Sequence, residues 1–389
     1  MTPSDTDDRF CLNDDQAALV ALARDFAADR IAPHALAWDR DRHFPVDVLR
    51  EAASLGFGAV TVRDDLGGSG LSRLDSTLIF EALAEACPTV AAYLSIHNMV
   101  AALVDRFGTP EQRERWLPDL VGMARLASYC LTEPDAGSDA AALRTRARRD
   151  GACYVLDGQK QFISGAGQDD SFYLVMARSG QDGASGISSF VVEAGTKGLS
   201  FGPNEHKMGW NAQPTRAVIF EGCRVPAENR LGAEGQGFKI AMAGLDGGRL
   251  NITACSIGGA QAATDKALAY TAERRAFGRK LDEFQALQFR LAEMAIKLEA
   301  ARSLLWRAAS ALDRGDPRAT TLCAMAKSFG TEAGFDVADA ALQLHGGYGY
   351  LADYGVEKLV RDLRVHRILE GTNEMMRLIV ARSLIGAVR

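Results

Sequence analysis

One apolar stripe limits the folds open to this chain. Leu287, Leu291, Met294, Leu298, Ala301, Leu305, Ala308 and Leu312 follow one another in alternating steps of four and three. That rhythm lines one face of a single long helix, and an apolar face of such length must be covered by other helices. The spacing therefore predicts a helical bundle in the C-terminal part. From Asp14 to about Ala127 the rhythm is again helical, interrupted by GFGAVTVRDDLGGSGLS, with Pro88, Pro110 and Pro118 where helices should start or stop. Between these parts the period changes. YVLDGQKQFIS (154–164) reads as two β-runs about an Asp157-Gly158 turn, a hairpin signal. FYLVMA, ISSFVVE, LSFG and AVIFEG follow as short strands with no helix between them, which predicts an antiparallel sheet. The expected class is α+β: an N-terminal helical domain over 1–127, a middle antiparallel β-domain over 128–232 and a C-terminal four-helix-bundle-like domain over 233–389.

Composition narrows the function classes. A chain of 389 residues, 47% hydrophobic and 24% charged, has ample material for a large core. Its formal charge of −6 does not suit a nucleic-acid or acidic-membrane surface, and no apolar run is long enough to span a bilayer. The acidic start, MTPSDTDDRF, argues against a signal or transit peptide. Seven scattered cysteines, odd in number and never in a CxxC pair, point to a reducing compartment; Cys11 is the first of them. Six histidines without paired spacing give no metal site.

Several stretches admit both a structural and a chemical reading. HGGYGYLA (345–352) contains G-x-G-x-x-A, yet it follows a helical run where a dinucleotide fingerprint must follow a strand, so a helix-ending turn is the better reading. CLTEPDAGSDAA (130–141) sets a turn before Ser138 and Asp139, both good N-caps for a short helix, while Thr132 and Ser138 could face a polar heterocycle. In QFISGAG (161–167), Phe162 could be core or could lie with Ser164 beside a flat ring. ERRAFGRKLDEFQ (273–285) reads as a solvated charge cluster, although the planar fork of Arg274 suits a pyrophosphate. The sharpest case is ILEGTNE (368–374). Glu370 stands at a forced break between two helical runs, where an acid opposes the dipole of the first helix. Gly371 relaxes the backbone and Thr372 can cap the next helix, so the carboxylate could point into a cavity.

Taken together, CLTEPDAGSD, the FISGAG strand, ERRAFG…Q, QLHGGYGY and ILEGTNE resemble an acyl-CoA dehydrogenase over essentially the whole chain. GFGAVTVRDDLGGSGLSRLDSTLIFEALA, SIHNM and EKLVRDLRVHRILEGTNE look most like the branch of that family that acts on isobutyryl-CoA in valine catabolism. The resemblance implies FAD as cofactor, an acyl-CoA substrate, an electron-transferring flavoprotein as acceptor and a homotetramer. It implies the cytoplasm if the source is bacterial and the mitochondrial matrix if it is eukaryotic. Another short or 2-methyl-branched substrate, an oxidase, and a flavin-binding scaffold without turnover stay open beside it.

Position by position, Glu370 matches the family's catalytic base, with Arg249 as the neighbour expected to hold its carboxylate. Leu131, Thr132 and Ser138 match contacts to the flavin ring or its phosphates, and Phe162 and Ser164 the strand beside the ring, where relatives often carry tryptophan. Arg274, Phe277, Gln285, Gln343, Gly346 and Gly347 match residues reaching the FAD of a neighbouring subunit; Thr372 and Glu374 match positions near the cofactor's adenosine half. Ser138, Asp246, Arg249, Leu369 and Gly371 match the substrate side. Isovaleryl-type members carry the base directly before an arginine on the helix after the β-domain. Here that stretch is GLDGGR, with Gly248 before Arg249, so Glu370 is the one acid at the two known places.

Overall fold

The structure is a computed structural model that describes residues 12–181 and 183–387; the MTPSDTDDRF start and Cys11 lie outside the described residues. The N-terminal part holds α1 (Asp14–Phe26), α2 (Ala35–Asp41), α3 (Val46–Ser54), α4 (Arg73–Ala86), α5 (Pro88–Phe107) and α6 (Pro110–Val121). Capping boxes start α1 (Asn13 with Gln16), α4 (Ser72 with Asp75) and α6 (Thr109 with Gln112). Pro88 and Pro110 open their helices, where a missing N–H costs nothing. Pro118 departs from expectation. It lies inside the last turn of α6, which runs only three residues further; near a helix end the lost hydrogen bond is tolerated because little helix follows.

The β-part consists of β1 (Leu126–Cys130), β2 (Arg146–Asp150), β3 (Cys153–Ser164), β4 (Ser171–Arg178), β5 (Ile187–Glu193), β6 (Leu199–Phe201), β7 (Thr215–Pro226) and β8 (Arg230–Leu231). They form one sheet in the order β6-β7-β3-β2-β4-β5-β8, with β1 beside β4. Pairing is antiparallel except between β1 and β4 and at a single β2–β4 pair, which are parallel. The Asp157-Gly158 hairpin is not there. Strand β3 runs straight through the dipeptide, and its register against β7 shifts between Leu156 and Gly158. Asp157 accepts a hydrogen bond from the Gly222 N–H at 2.7 Å, and a Cβ at Gly158 would lie 2.7 Å from the Thr145 Cα. The glycine thus serves close backbone approach at a bulge, a second use of the same residue type.

The C-terminal part contains α7 (Gly237–Glu273), a small hairpin of β9 (Arg275–Ala276) and β10 (Arg279–Lys280), then α8 (Gln285–Asp313), α9 (Ala319–His345), α10 (Val356–Arg364) and α11 (Asn373–Gly386). The stripe on α8 is covered as expected: Met294, Leu298, Ala301, Leu305 and Ala308 are buried, and Leu287, Leu291 and Leu312 pack against the same core. HGGYGYLA ends α9, and Gly346 takes φ 59° there. Among the described residues no helix is long and apolar enough to cross a membrane, and no group of three or more His, Cys, Asp or Glu gathers to hold a metal.

One buried polar knot ties the three parts together just ahead of Glu370. Asp362 on α10 accepts from the Trp210 N–H at 2.7 Å and from the Thr89 hydroxyl of α5 at 3.0 Å, and pairs with Lys358. One helical turn on, His366 Nε2 accepts from the Trp210 indole N–H at 3.2 Å. Its Nδ1 therefore carries the proton and donates to Ser256 Oγ at 2.6 Å, while that hydroxyl donates to the Ile252 carbonyl. Burial pushes His366 down to about 3, so it stays neutral at ordinary pH.

Candidate active site

After α10 and one short turn, residues 368–372 form a strap before α11. Glu370 takes φ 56° and Gly371 φ 87°, two successive left-handed residues. For glutamate that conformation costs on the order of 1 kcal/mol or more, so it persists only where its surroundings hold it. Two buried cations do so. Arg249 Nε donates to the Glu370 carbonyl at 3.2 Å, and Lys327 Nζ donates to the Gly371 carbonyl at 2.7 Å. Lys327 also donates to Asn373 Oδ1 at 2.9 Å, and Thr372 caps α11 by accepting from the Met375 N–H at 3.4 Å.

The strap turns the carboxylate of Glu370 against α7. A Cβ at Gly248 would lie 2.6 Å from Glu370 Oε2 and 2.9 Å from its Cδ, so only glycine leaves room. Glu370 is half-buried as a residue, yet its Oε2 is sealed from solvent without a hydrogen-bond partner. Burial pushes this carboxyl up to about 7, while the charges of Arg249 and Lys327 pull it back. Arg249 does not hold the carboxylate itself, contrary to expectation. Its guanidinium pairs with Asp246 at 2.8 Å, and Asp246 in turn accepts from Thr320 at 2.7 Å. Leu369 packs against the main core beside the strap.

The β-part brings a second set of the sequence-derived positions together. Beyond β1, the carbonyl of buried Leu131 accepts from Lys160, which pairs at 2.8 Å with Glu133; both charges are buried. The Thr132 carbonyl accepts from the Gln161 N–H at 2.8 Å, and the Ser164 carbonyl from the Ser128 hydroxyl at 2.8 Å. These bonds draw Thr132, Phe162 and Ser164 to one end of the sheet. Phe162 is 64% exposed and holds φ 59°, a bare aromatic ring on a strained backbone. Ser138 is exposed on the turn beyond; Asp139 makes no side-chain cap, and only a single 3-10 turn over Ala140–Ala142 follows where a short helix is expected.

The remaining sequence-derived positions gather elsewhere. Arg274, Gln343, Gly346 and Gly347 line a cleft of about 680 Å³ with Tyr270 and Tyr348. Arg274 lies over the Tyr348 ring at 5.4 Å. Exposed Gln285 opens α8 nearby, and Phe277 stands 96% exposed at the tip of the β9–β10 hairpin. Glu374 is exposed on α11 and pairs with Arg377 at 3.5 Å. Arg274 caps the far end of α7, 26 residues beyond Gly248. At 1.5 Å per residue that is about 39 Å, longer than one dinucleotide can bridge.

Three residues near the site escaped sequence reasoning. Lys327 is completely buried, and its signal was a lysine in register with Cys323, Thr331 and Gly334 on the apolar face of α9. Tyr129 donates to the Ala241 carbonyl at 3.1 Å; its hydroxyl is pushed well up by burial and then by Glu370, which places it within the carboxylate's field. Gln213 is buried with both amide atoms unpartnered, next to Pro214, whose carbonyl accepts from Gly165. Nothing in the local sequence marks Gln213.

Family models for the acyl-CoA dehydrogenase N-terminal, middle and C-terminal domains match residues 13–124, 128–223 and 235–385 in turn. The chain belongs to the acyl-CoA dehydrogenase family. It is thereby a flavin-dependent enzyme with FAD as cofactor. A mitochondrial isobutyryl-CoA dehydrogenase of Dictyostelium discoideum is 55% identical over 374 residues, 96% of this chain and 90% of that protein. Butyryl-CoA dehydrogenase from Megasphaera elsdenii superposes with a TM-score of 0.94 at 37% identity, over 97% of this chain and all of that one. PigA, solved as an FAD complex, superposes at 0.93 with 29% identity, over 97% of this chain and 99% of that one.

Proposed function

We propose that this enzyme oxidises a short branched acyl-CoA, isobutyryl-CoA, to the α,β-unsaturated thioester methacrylyl-CoA, with Glu370 removing the α-proton. The observation that carries the reading is the Glu370 carboxylate: closed in by Gly248, lacking a hydrogen-bond partner at Oε2, and pushed up to about 7. A base whose proton affinity sits near working pH is suited to taking a proton from carbon. The 55% identity to an isobutyryl-CoA dehydrogenase supports the choice of acyl group.

The residues present fit FAD. Gln213 leaves a buried donor and acceptor unmatched, and Phe162 offers an uncovered ring beside Ser164 and Thr132, the set expected to hold the isoalloxazine. Bound FAD supplies a two-electron acceptor for the β-hydride. The protein does the rest. The backbone N–H of Glu370 finds no acceptor among the described residues, so it is free to donate to the thioester oxygen as negative charge develops there. Arg249 and Asp246 keep the strap in place while the base works. Leu131, Leu369 and Tyr129 give the acyl group apolar walls that exclude water.

Arg274 ends α7 too far from Gly248 to serve the same flavin as Glu370 of its own chain, and Gln343, Gly346 and Gly347 line the cleft with it, with Phe277 and Gln285 on the hairpin and helix that follow. We take them to serve the FAD of a second subunit in a homotetramer, with Phe289 and Ile296, 60% and 68% exposed on α8, as apolar surface available to it. The reading assigns the electrons to an electron-transferring flavoprotein. It places the enzyme in the mitochondrial matrix of a eukaryote or the cytoplasm of a bacterium. Anaerobic flavin bleaching with straight and branched C3–C6 acyl-CoAs tests substrate choice. Isobutyryl-CoA should give the highest kcat/KM; a straight-chain thioester preferred by tenfold overturns the assignment, and rapid peroxide formation in air would make the enzyme an oxidase.

A further inference from the structure

Lys327 is a buried ammonium with only neutral acceptors. It donates to the Gly371 carbonyl and to Asn373 Oδ1, and it forms no ion pair within 4 Å among the described residues. Asn373 is itself 2% exposed, and its amide nitrogen reaches Thr331 Oγ1 at 3.1 Å, Glu332 Oε1 at 3.2 Å and the Ser328 carbonyl at 3.4 Å. A charge buried in this way is costly, and an apolar residue of similar volume would fill the space without that cost. Packing therefore does not account for a lysine here.

The geometry points to a role for it. Arg249 holds the carbonyl of residue 370 and Lys327 holds the next one, so two successive left-handed peptides are pinned by two cations while the side chain between them stays free to face Gly248. We propose that Lys327 is a positioning residue for Glu370: it locks the strap that aims the carboxylate, and its charge keeps that carboxylate ready to accept a proton. This rests on Glu370 being the base.

The charges facing the pair are few. Arg249 comes from α7, Glu332 from α9 itself and Glu374 from α11. His366, on the turn before the strap, is held neutral. Burial draws Lys327 down to about 7, with Glu370 as the first charge opposing that fall, so the two groups titrate as one coupled pair. A protonated lysine favours the ionised carboxylate. Without it the carboxylate should ionise only at higher pH, by about one unit or more.

The test is the pH dependence of single-turnover flavin bleaching by isobutyryl-CoA, run on wild-type, Lys327→Met, Lys327→Arg and Glu370→Gln holoenzymes. We expect K327M to retain bound flavin, to lose about tenfold in rate at pH 6, and to recover most of it by pH 9. K327R should keep the acid limb near the wild-type position. A K327M profile superposable on wild type overturns the proposal, and so does a uniform loss at every pH. If K327M yields no holoenzyme, K327R decides alone: an acid limb displaced upward despite the retained charge overturns it. E370Q separates the two readings, because full turnover in that variant removes the base itself, whereas its loss leaves the base standing whatever Lys327 does.

Discussion

The carboxylate of Glu370 occupies the space that a side chain at Gly248 would need, with Oε2 2.6 Å from where that Cβ would stand. Two distant parts of the chain, a helix and the break between two others, are thus shaped to each other. An acid at one place requires the lack of a side chain at the other.

Gly248→Ala tests that fit directly. The helix would gain from alanine by roughly 0.5–1 kcal/mol, but the added methyl meets the carboxylate, and overpacking of this kind costs about 1–3 kcal/mol. The variant should bind flavin normally and bleach it at least tenfold more slowly. Flavin content at 450 nm and stopped-flow bleaching measure the two effects; an unchanged rate would show that the carboxylate does not sit against α7.

Glu370→Gln should lose turnover by a factor of roughly 10² to 10⁴, the usual contribution of a positioned base. It should also change stability with a definite sign. The folded carboxyl lies at about 7 against an ordinary 4.5, so the stability it contributes is complete below 4.5 and is lost as pH rises through 7. The neutral glutamine escapes that loss. E370Q should therefore melt with the wild type near pH 4.5 and above it at pH 8, by up to about 3 kcal/mol. Thermal scans across that window read the difference, and a gap that fails to grow with pH contradicts a raised carboxyl.

Phe162→Gly separates flavin contact from folding. Glycine accepts φ 59° without strain, and the ring it removes is mostly solvent-exposed. The apoprotein should melt within about 0.5 kcal/mol of wild type or slightly above it. FAD should dissociate about 2–10-fold more readily, the value of one aromatic contact. Fluorescence titration of apoprotein with FAD measures it, and unaltered affinity would take Phe162 out of the flavin wall.

Lys160→Met strands Glu133 beneath Leu131. Removing one partner of a buried pair costs about 3–5 kcal/mol, and the pair is almost fully enclosed. The melting temperature should fall by several degrees, and the double variant with Glu133→Gln should regain much of the loss. A double variant no more stable than K160M would mean the charges are not coupled.

The sequence by itself determined what depends on local period and chain stiffness. The α8 stripe announced a covered helix because helical geometry sets side chains three and four apart on one face. The HGGYGYLA glycines marked the end of α9, and the Glu-Gly pair at 370–371 marked a break that the structure makes as two left-handed residues. Asp157-Gly158 misled because one glycine serves a tight turn or a bulge equally well, and only the strand pairing across it, Gly222 on one side and Thr145 on the other, selects the bulge. Tertiary structure alone decided the rest. It set Arg249 on a carbonyl instead of the carboxylate, buried Lys327 under the strap, left the side-chain amide of Gln213 without partners, and put Arg274 26 residues along α7 from the Gly248 that faces Glu370. Those outcomes turn on which groups lie within about 3 Å of each other after segments far apart in the sequence have packed, 121 residues apart for Arg249 and Glu370, and on how much water that packing excludes; no period along the sequence encodes either.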